Sequence, residues 1–203
     1  YDALGRLSKS IGPVDTMAFP GLLRLYHDEI LGTPGAQYVE VQTRERSGTA
    51  EVHWRKAYFD GWGRNHRLET EQIGDSVVVD TQYDARGLAV ATSLPRKKNA
   101  GGAPLWVTTT YDGLRRPRRV TQPDGTFVES GYSGRTTTLL DGLGRVHTSE
   151  ADAQGRVVRR REPTVTNPTT FAYDGGGRLI SVTNAKGEAT AFSYDTLGRK
   201  VSM

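Results

Sequence analysis

The chain has no cysteine, which excludes disulfides and thiolate metal sites. That absence fits either a reducing compartment or an exported bacterial protein and does not choose between them. Apolar residues are scarce: 35% of the 203 residues are hydrophobic, below the usual share of about 45–50% that also counts Gly. No apolar stretch approaches the roughly 20 residues of a membrane span, and no signal peptide is visible. An excess of one charge is lacking too. With 27 Lys and Arg against 23 Asp and Glu, the net charge is +4, too mild by itself to imply a nucleic-acid partner.

What the chain does have is glycine, 24 residues of it, against about 7% expected. Low apolar content is compatible with disorder, but Tyr, Phe, Trp, Val and Thr recur at regular intervals, which points to many short strands. A motif recurs with them. Tyr1-Asp2 is followed by Gly5-Arg6, Phe59-Asp60 by Gly63-Arg64, and Tyr83-Asp84 by Gly87-Leu88. Tyr111-Asp112 leads to Arg115-Arg116, Tyr173-Asp174 to Gly177-Arg178, and Tyr194-Asp195 to Gly198-Arg199. Two further copies lack the aromatic: Asp141 with Gly144-Arg145, and Asp152 with Gly155-Arg156. Weaker turn signals lie between them at Pro123-Asp124-Gly125, Ser133-Gly134 and Asn184 to Gly187. Turns therefore fall near 112, 124, 133, 141, 152, 163, 174, 184 and 195, about ten residues apart. Turn signals every 8–12 residues mark an all-β chain of consecutive hairpins.

The motif has a physical reading. A type I turn favours Asp at its first position and Gly at its fourth. The Asp carboxylate accepts N–H bonds from the residues that follow, which pre-forms the bend. Gly takes positive φ at little cost, as a G1 bulge closing the turn requires. The Tyr before Asp ends one strand and the Arg after Gly starts the next, so the Tyr and Arg of one copy are expected near each other. The Arg either stacks on a ring or pairs with the Asp. Between the turns, Val77 to Val79, Thr108 to Tyr111, Thr136 to Leu140 and Thr169 to Tyr173 are β-branched and aromatic, as strands require. The expected fold is all-β: consecutive antiparallel β-hairpins in a wide, twisted sheet strip.

Organisation changes along the chain. Residues 1–50 read as a degenerate repeat region punctuated by Pro13, Pro20 and Pro34, with Tyr26-His27-Asp28 hinting at a further copy. Phe19 to Leu25 reads as a strand rather than a short helix. Residues 51–203 read as the regular array, interrupted by an exposed loop from Leu94 to Pro104. Because the chain opens inside a motif, it is expected to be a piece of a longer polypeptide.

No pattern calls for catalysis. His27, His53, His66 and His147 lack metal-ligand spacing, and the Asp residues are accounted for by turns. Asp174-Gly-Gly-Gly177 has no helix behind it to make a phosphate loop. No Ser sits in a Gly-x-Ser-x-Gly context. Arg115 to Arg119 and Arg159 to Arg161 are the best candidates for a binding patch, although alternation along a strand splits each between two faces.

Tyr-Asp-x-x-Gly-Arg at these spacings resembles the Rhs/YD-repeat family, which includes bacterial polymorphic toxins, the shell components of insecticidal toxin complexes and the teneurins. Val52 to Arg64 and Leu31 to Pro34 resemble the insecticidal-complex branch in particular. The resemblance implies that the strip is part of a spiral β-shell enclosing a C-terminal toxin. The family's self-cleaving Asp-Pro motif is absent, so no protease residues carry over. The expected role is structural and non-catalytic, with no cofactor and no metal. The implied partners are the remaining repeats of the parent chain and an enclosed toxin domain. Exposed sheet edges suggest self-association, whereas no nucleic-acid partner is expected. An exported or cell-surface bacterial protein, stored in the cytoplasm before delivery, is the implied location. The alternative is a carbohydrate- or receptor-binding surface module that uses Trp62, Trp106 and tyrosines.

Overall fold

The computed structural model describes residues 1–10, 22–27, 37–43 and 53–202. Among them there is no helix, 56% lie in strands, and every strand pairing is antiparallel. The chain divides into two compact units, Tyr1–Thr108 and Thr109–Met203.

The first unit contains β1 (Lys9–Ser10), β2 (Leu22–His27), β3 (Tyr38–Thr43), β4 (His53–Phe59), β5 (Asn65–Gln72), β6 (Asp75–Tyr83), β7 (Ala89–Ser93), β8 (Arg96–Lys97) and the start of β9 (Trp106–Tyr111). The segment Leu22 to Leu25 is strand, as expected, while residues 19–21 and Asp28 lie outside the described residues. Strands β2 to β6 pair in chain order. Nine-residue β6 is shared: its C-terminal half pairs with β7 and its N-terminal half with β8. The Leu94–Pro104 stretch is therefore more than a loop. Most of it is exposed, but Arg96 and Lys97 pair with Val78 and Val77 as a short edge strand.

Strand parity gives this unit two unlike faces. Val39, Val41, Ala57, Leu68 and Val79 share one face, following the register Val39↔Ala57↔Leu68↔Val79. The other carries Glu40, Lys56, Tyr58, Glu69, Ser76, Val78 and Asp80. The polar face is the better shielded: Val78 is 1% exposed, Glu69 3% and Ser76 5%.

The second unit continues from β9 with β10 (Pro117–Thr121), β11 (Phe127–Ser133), β12 (Thr136–Leu140), β13 (Val146–Ala151), β14 (Val157–Arg161), β15 (Thr169–Tyr173), β16 (Leu179–Thr183), β17 (Ala189–Ala191), β18 (Ser193–Tyr194) and β19 (Lys200–Ser202). Each strand from β10 to β17 pairs with the next, and β18 pairs with β19. The turns fall at the expected positions. Because each hairpin reverses the chain, successive turns alternate between the two edges of the strip. Those at 112, 133, 152, 174 and 195 occupy one edge, and those at 124, 141, 163 and 184 the other. Asp141 is thus on the edge opposite the other motif copies of this unit.

Candidate functional site

The repeated unit is a turn built around one carboxylate. At Asp174 the backbone N–H donates to the Arg178 carbonyl at 2.9 Å, and the Gly177 N–H donates to the Asp174 carbonyl at 3.0 Å. Oδ1 of Asp174 accepts from the N–H groups of Gly176 (3.0 Å) and Arg178 (2.9 Å). Oδ2 accepts from Arg178 Nε at 2.7 Å. Gly177 has φ +83°, and the strand register slips by one residue between Ala172 and Tyr173, a bulge that closes the turn. The same five bonds recur at Asp2, Asp60, Asp112, Asp141, Asp152 and Asp195. At Asp84 the arginine position holds Leu88, and Arg86 supplies the guanidinium instead, at 3.0 Å. At Asp112 the glycine position holds Arg115, which takes φ +65°.

Hydrogen bonds to the charged form hold these carboxyls below their ordinary value. At Asp2, Asp112, Asp141, Asp174 and Asp195 the largest cause is the backbone N–H of the arginine four residues on. Asn184 shows which part of the motif is backbone chemistry alone. Its Oδ1 accepts from Lys186 and Glu188 N–H at 2.9 and 3.0 Å, with no arginine in the turn.

Five of the motif arginines also reach beyond their own turn. The Arg6 guanidinium lies 3.9 Å from the ring centroid of Tyr26, Arg64 4.7 Å from Tyr83, and Arg116 4.0 Å from Tyr132. Arg156 stacks on Tyr173 at 4.7 Å and Arg178 on Tyr194 at 5.2 Å. The tyrosine hydroxyl then donates to the carbonyl of the residue after that arginine: Tyr26 to Leu7, Tyr83 to Asn65, Tyr132 to Pro117, Tyr173 to Val157 and Tyr194 to Leu179, at 2.6–3.1 Å. The expected Tyr–Arg neighbours therefore belong to different copies. The arginine is committed to its own Asp, and the ring it meets comes from the next turn on that edge. The result is a ladder, Asp to Arg to next Tyr, whose individual links are worth about 1 kcal/mol or less.

The ladder includes one partner that sequence reasoning missed, Tyr132, and one it had only hinted at, Tyr26. Tyr132 precedes a two-residue turn with no Asp, and Tyr26 precedes an Asp that lies outside the described residues. Counting turns by parity would have found Tyr132, and would also have set Asp141 on the far edge. There Asp141 meets a different neighbour. His147 Nδ1 lies 2.7 Å from Glu162 and its Nε2 3.5 Å from Asp141, so the ring bridges two turns of that edge. Of the remaining motif residues, Tyr1 is 84% exposed, and Tyr111 is half-buried beside its turn. Trp62, at the tip of the Asp60 turn, is 86% exposed, whereas Trp106 is half-buried in β9.

The other dense polar cluster is in the first unit. Glu69 accepts from Ser76 Oγ (2.6 Å), Lys98 Nζ (2.9 Å) and the Tyr58 hydroxyl (2.9 Å). Burial pushes the Glu69 carboxyl up, but these three bonds outweigh it and hold the group below its ordinary value. Burial, and then the bond to Glu69, pushes the Tyr58 hydroxyl up to about 12. Asp80 pairs with Arg67 and with Arg96, the latter at 3.0 Å. These groups satisfy one another. No group of three His, Asp or Glu spaced to hold a metal occurs among the described residues.

Comparison with known proteins follows the same lines. The RHS Repeat family model matches residues 151–189 and 173–203. A curated relative, the double-stranded DNA deaminase toxin A of Burkholderia cenocepacia (strain H111), is 27% identical over 178 residues, covering 72% of this chain and 12% of the relative. The crystal structure of TcdB2-TccC3 superimposes with a TM-score of 0.62 at 16% identity, over 98% of this chain and 14% of that one. The Photorhabdus luminescens Tc holotoxin pore gives 0.60 at 16% identity, over 82% of this chain and 12% of that one. At such identities the structural likeness speaks for the fold, and the chain spans a small fraction of each of these proteins. Residues 151–203 match the RHS Repeat model, and the same backbone turn bonds recur at Asp2, Asp60, Asp84 and Asp112, outside the matched residues.

Proposed function

We propose that this chain is a non-catalytic wall segment of a hollow, spiralling β-shell that encloses a C-terminal toxin. The carrying observation is the set of Asp–Arg–Tyr links, which tie five of the motif turns to a tyrosine of a later strand and commit their carboxylates and guanidiniums to structure. In this reading residues 51–203 are the regular wall, and residues 1–50 are a degenerate repeat region. The partners are further repeats of the parent polypeptide and the enclosed toxin. Unpaired sheet edges join neighbouring repeats or a second copy, and no nucleic-acid partner is involved. The parent protein is exported, after storage in the cytoplasm. Confinement is the mechanism: a closed sheet keeps the cargo from its targets.

The test is protease protection in the parent polypeptide. The domain downstream of the repeats should resist cleavage while the wall is intact, and become sensitive when Asp152→Ala and Asp174→Ala break two rungs. A downstream domain cleaved equally in both proteins, or steady substrate turnover by the repeats alone, would overturn the proposal.

A further inference from the structure

Arg159 and Arg161 lie two residues apart on β14 and share a face of the second unit, while Arg160 faces the other way and pairs with Glu162 at 2.7 Å. The register Thr138↔Thr148↔Arg161 and Thr136↔Glu150↔Arg159 sets Thr148 beside Arg161 and Glu150 between Thr136 and Arg159. Together Thr136, Thr148, Glu150, Arg159 and Arg161 line a concavity of about 200 Å³. Glu150 does not fill it with negative charge alone, because Arg159 Nη1 stands 3.4 Å from its carboxylate. Thr138 is drawn aside toward Gly131, whose carbonyl its hydroxyl approaches at 3.4 Å. The side chains of Arg161, Thr136 and Thr148 have no hydrogen-bond or ion-pair partner among the described residues.

We propose that this concavity is a binding site for a tetrahedral oxyanion, either free phosphate or a phosphoryl group on a larger ligand. The fork of an unpaired guanidinium offers two parallel donors to such a group, and the threonine hydroxyls that line the same concavity supply further donors. Thr148 stands across from Arg161 in the register, so a guanidinium and a hydroxyl from adjacent strands serve one anion with several acceptor oxygens. At 200 Å³ the space is below the range of about 300–1,000 Å³ typical of pockets for whole small molecules, so it fits a single group. The site is independent of the wall reading, since it asks only for these five side chains in register.

The experiment is a titration of the whole chain with inorganic phosphate, followed by amide NMR. Saturable shifts are expected at Thr136, Thr148 and Arg161. Arg161→Gln should weaken binding about tenfold, the loss of one charge-assisted interaction. Thr148→Val, which keeps the strand and its shape, should weaken it to a smaller degree. Arg135→Gln, removing the same charge elsewhere, should leave binding unchanged. A phosphoserine peptide that binds more tightly than phosphate would identify the group as one carried by a larger ligand, and equal or weaker binding would identify the free ion. Shifts that grow linearly with phosphate, that acetate reproduces, or that Arg135→Gln weakens as much as Arg161→Gln would overturn the proposal.

Discussion

Strands β3 to β6 of the first unit and β11 to β16 of the second follow the same hairpin order. Yet among the described residues the buried ones, Val78, Ala91, Glu40, Glu69, Ser76 and Ser93, all belong to the first. In the first unit, hydrogen bonds between side chains distant in sequence, such as Lys98 to Glu69, hold the strands together. In the second, most side-chain bonds span two to four residues within a turn, and longer links run from one turn to the next along an edge. A single-layer sheet without a buried core depends on its turn chemistry, so its stability should be local and should follow the ionisation of the turn aspartates.

Acid is the strongest test of that difference. The turn carboxyls of the second unit, Asp112, Asp141, Asp152, Asp174 and Asp195, lie below their ordinary value when folded. The unfolded chain therefore takes up protons first as pH falls. The stabilisation is complete above the unfolded value of about 3.9 and is lost as pH falls through it toward the folded values. Glu69 and Asp80 shift in the same direction, so the first unit weakens too, but Val78 and Ala91 remain buried there. Amide exchange measured from pH 6 down to pH 2 should show the second unit losing protection first. If the first unit opens earlier, the distinction between a core-held and a turn-held sheet is wrong.

A pair of substitutions sharpens the comparison at single sites. Glu69→Ala should strip partners from Ser76, Lys98 and Tyr58 and destabilise the first unit by about 3 kcal/mol, as expected when one member of a buried charged cluster is removed. Asp174→Ala should act locally, speeding amide exchange at Gly176 and Arg178 while protection near Glu69 stays the same. Asp174→Asn should fall between wild type and Asp174→Ala, because Asn184 already makes the same backbone bonds without an arginine. Thermal melts with residue-resolved exchange would read all three. Equal effects of the Asn and Ala variants would show that the arginine pairing, and not the backbone bonds, holds the turn.

What the sequence reveals follows the range of the interactions. The turns are legible because every bond that makes them spans two to four residues, from Asp2 to Arg6 or from Asp195 to Arg199. The strands between them are legible from Thr and Val content. The ring each arginine meets was not, because Arg116 to Tyr132 depends on which edge each turn occupies, a matter of parity over several hairpins. The Glu69 cluster was less legible still. Its members come from β4, β5, β6 and the stretch after β8, and no short spacing links Tyr58 to Lys98. The small strand at Arg96 and Lys97 was hidden by the Pro, Lys and Gly around it, which read as loop until β6 proves long enough to pair with two partners.

The smallest expected effect concerns the one copy of the turn that breaks the glycine rule. Arg115 takes φ +65° where Gly144, Gly155, Gly177 and Gly198 take +76° to +83° in their own copies. A non-glycine residue in this left-handed region carries a backbone cost of roughly 1–2 kcal/mol. Arg115→Gly relieves that cost, but it also makes the unfolded chain more flexible and removes whatever the side chain contributes. The net gain should thus stay below about 1 kcal/mol. Gly155→Val applies the same logic in reverse. It places a β-branched residue at φ +81°, where the space around the position is open, so the loss is one of backbone strain and not of collision. Melting curves of the two variants should move in opposite directions, with the loss at 155 exceeding the gain at 115. If Arg115→Gly is destabilising, that arginine does something at the Asp112 turn that outweighs its strain, and this copy does not follow the turn chemistry of the others.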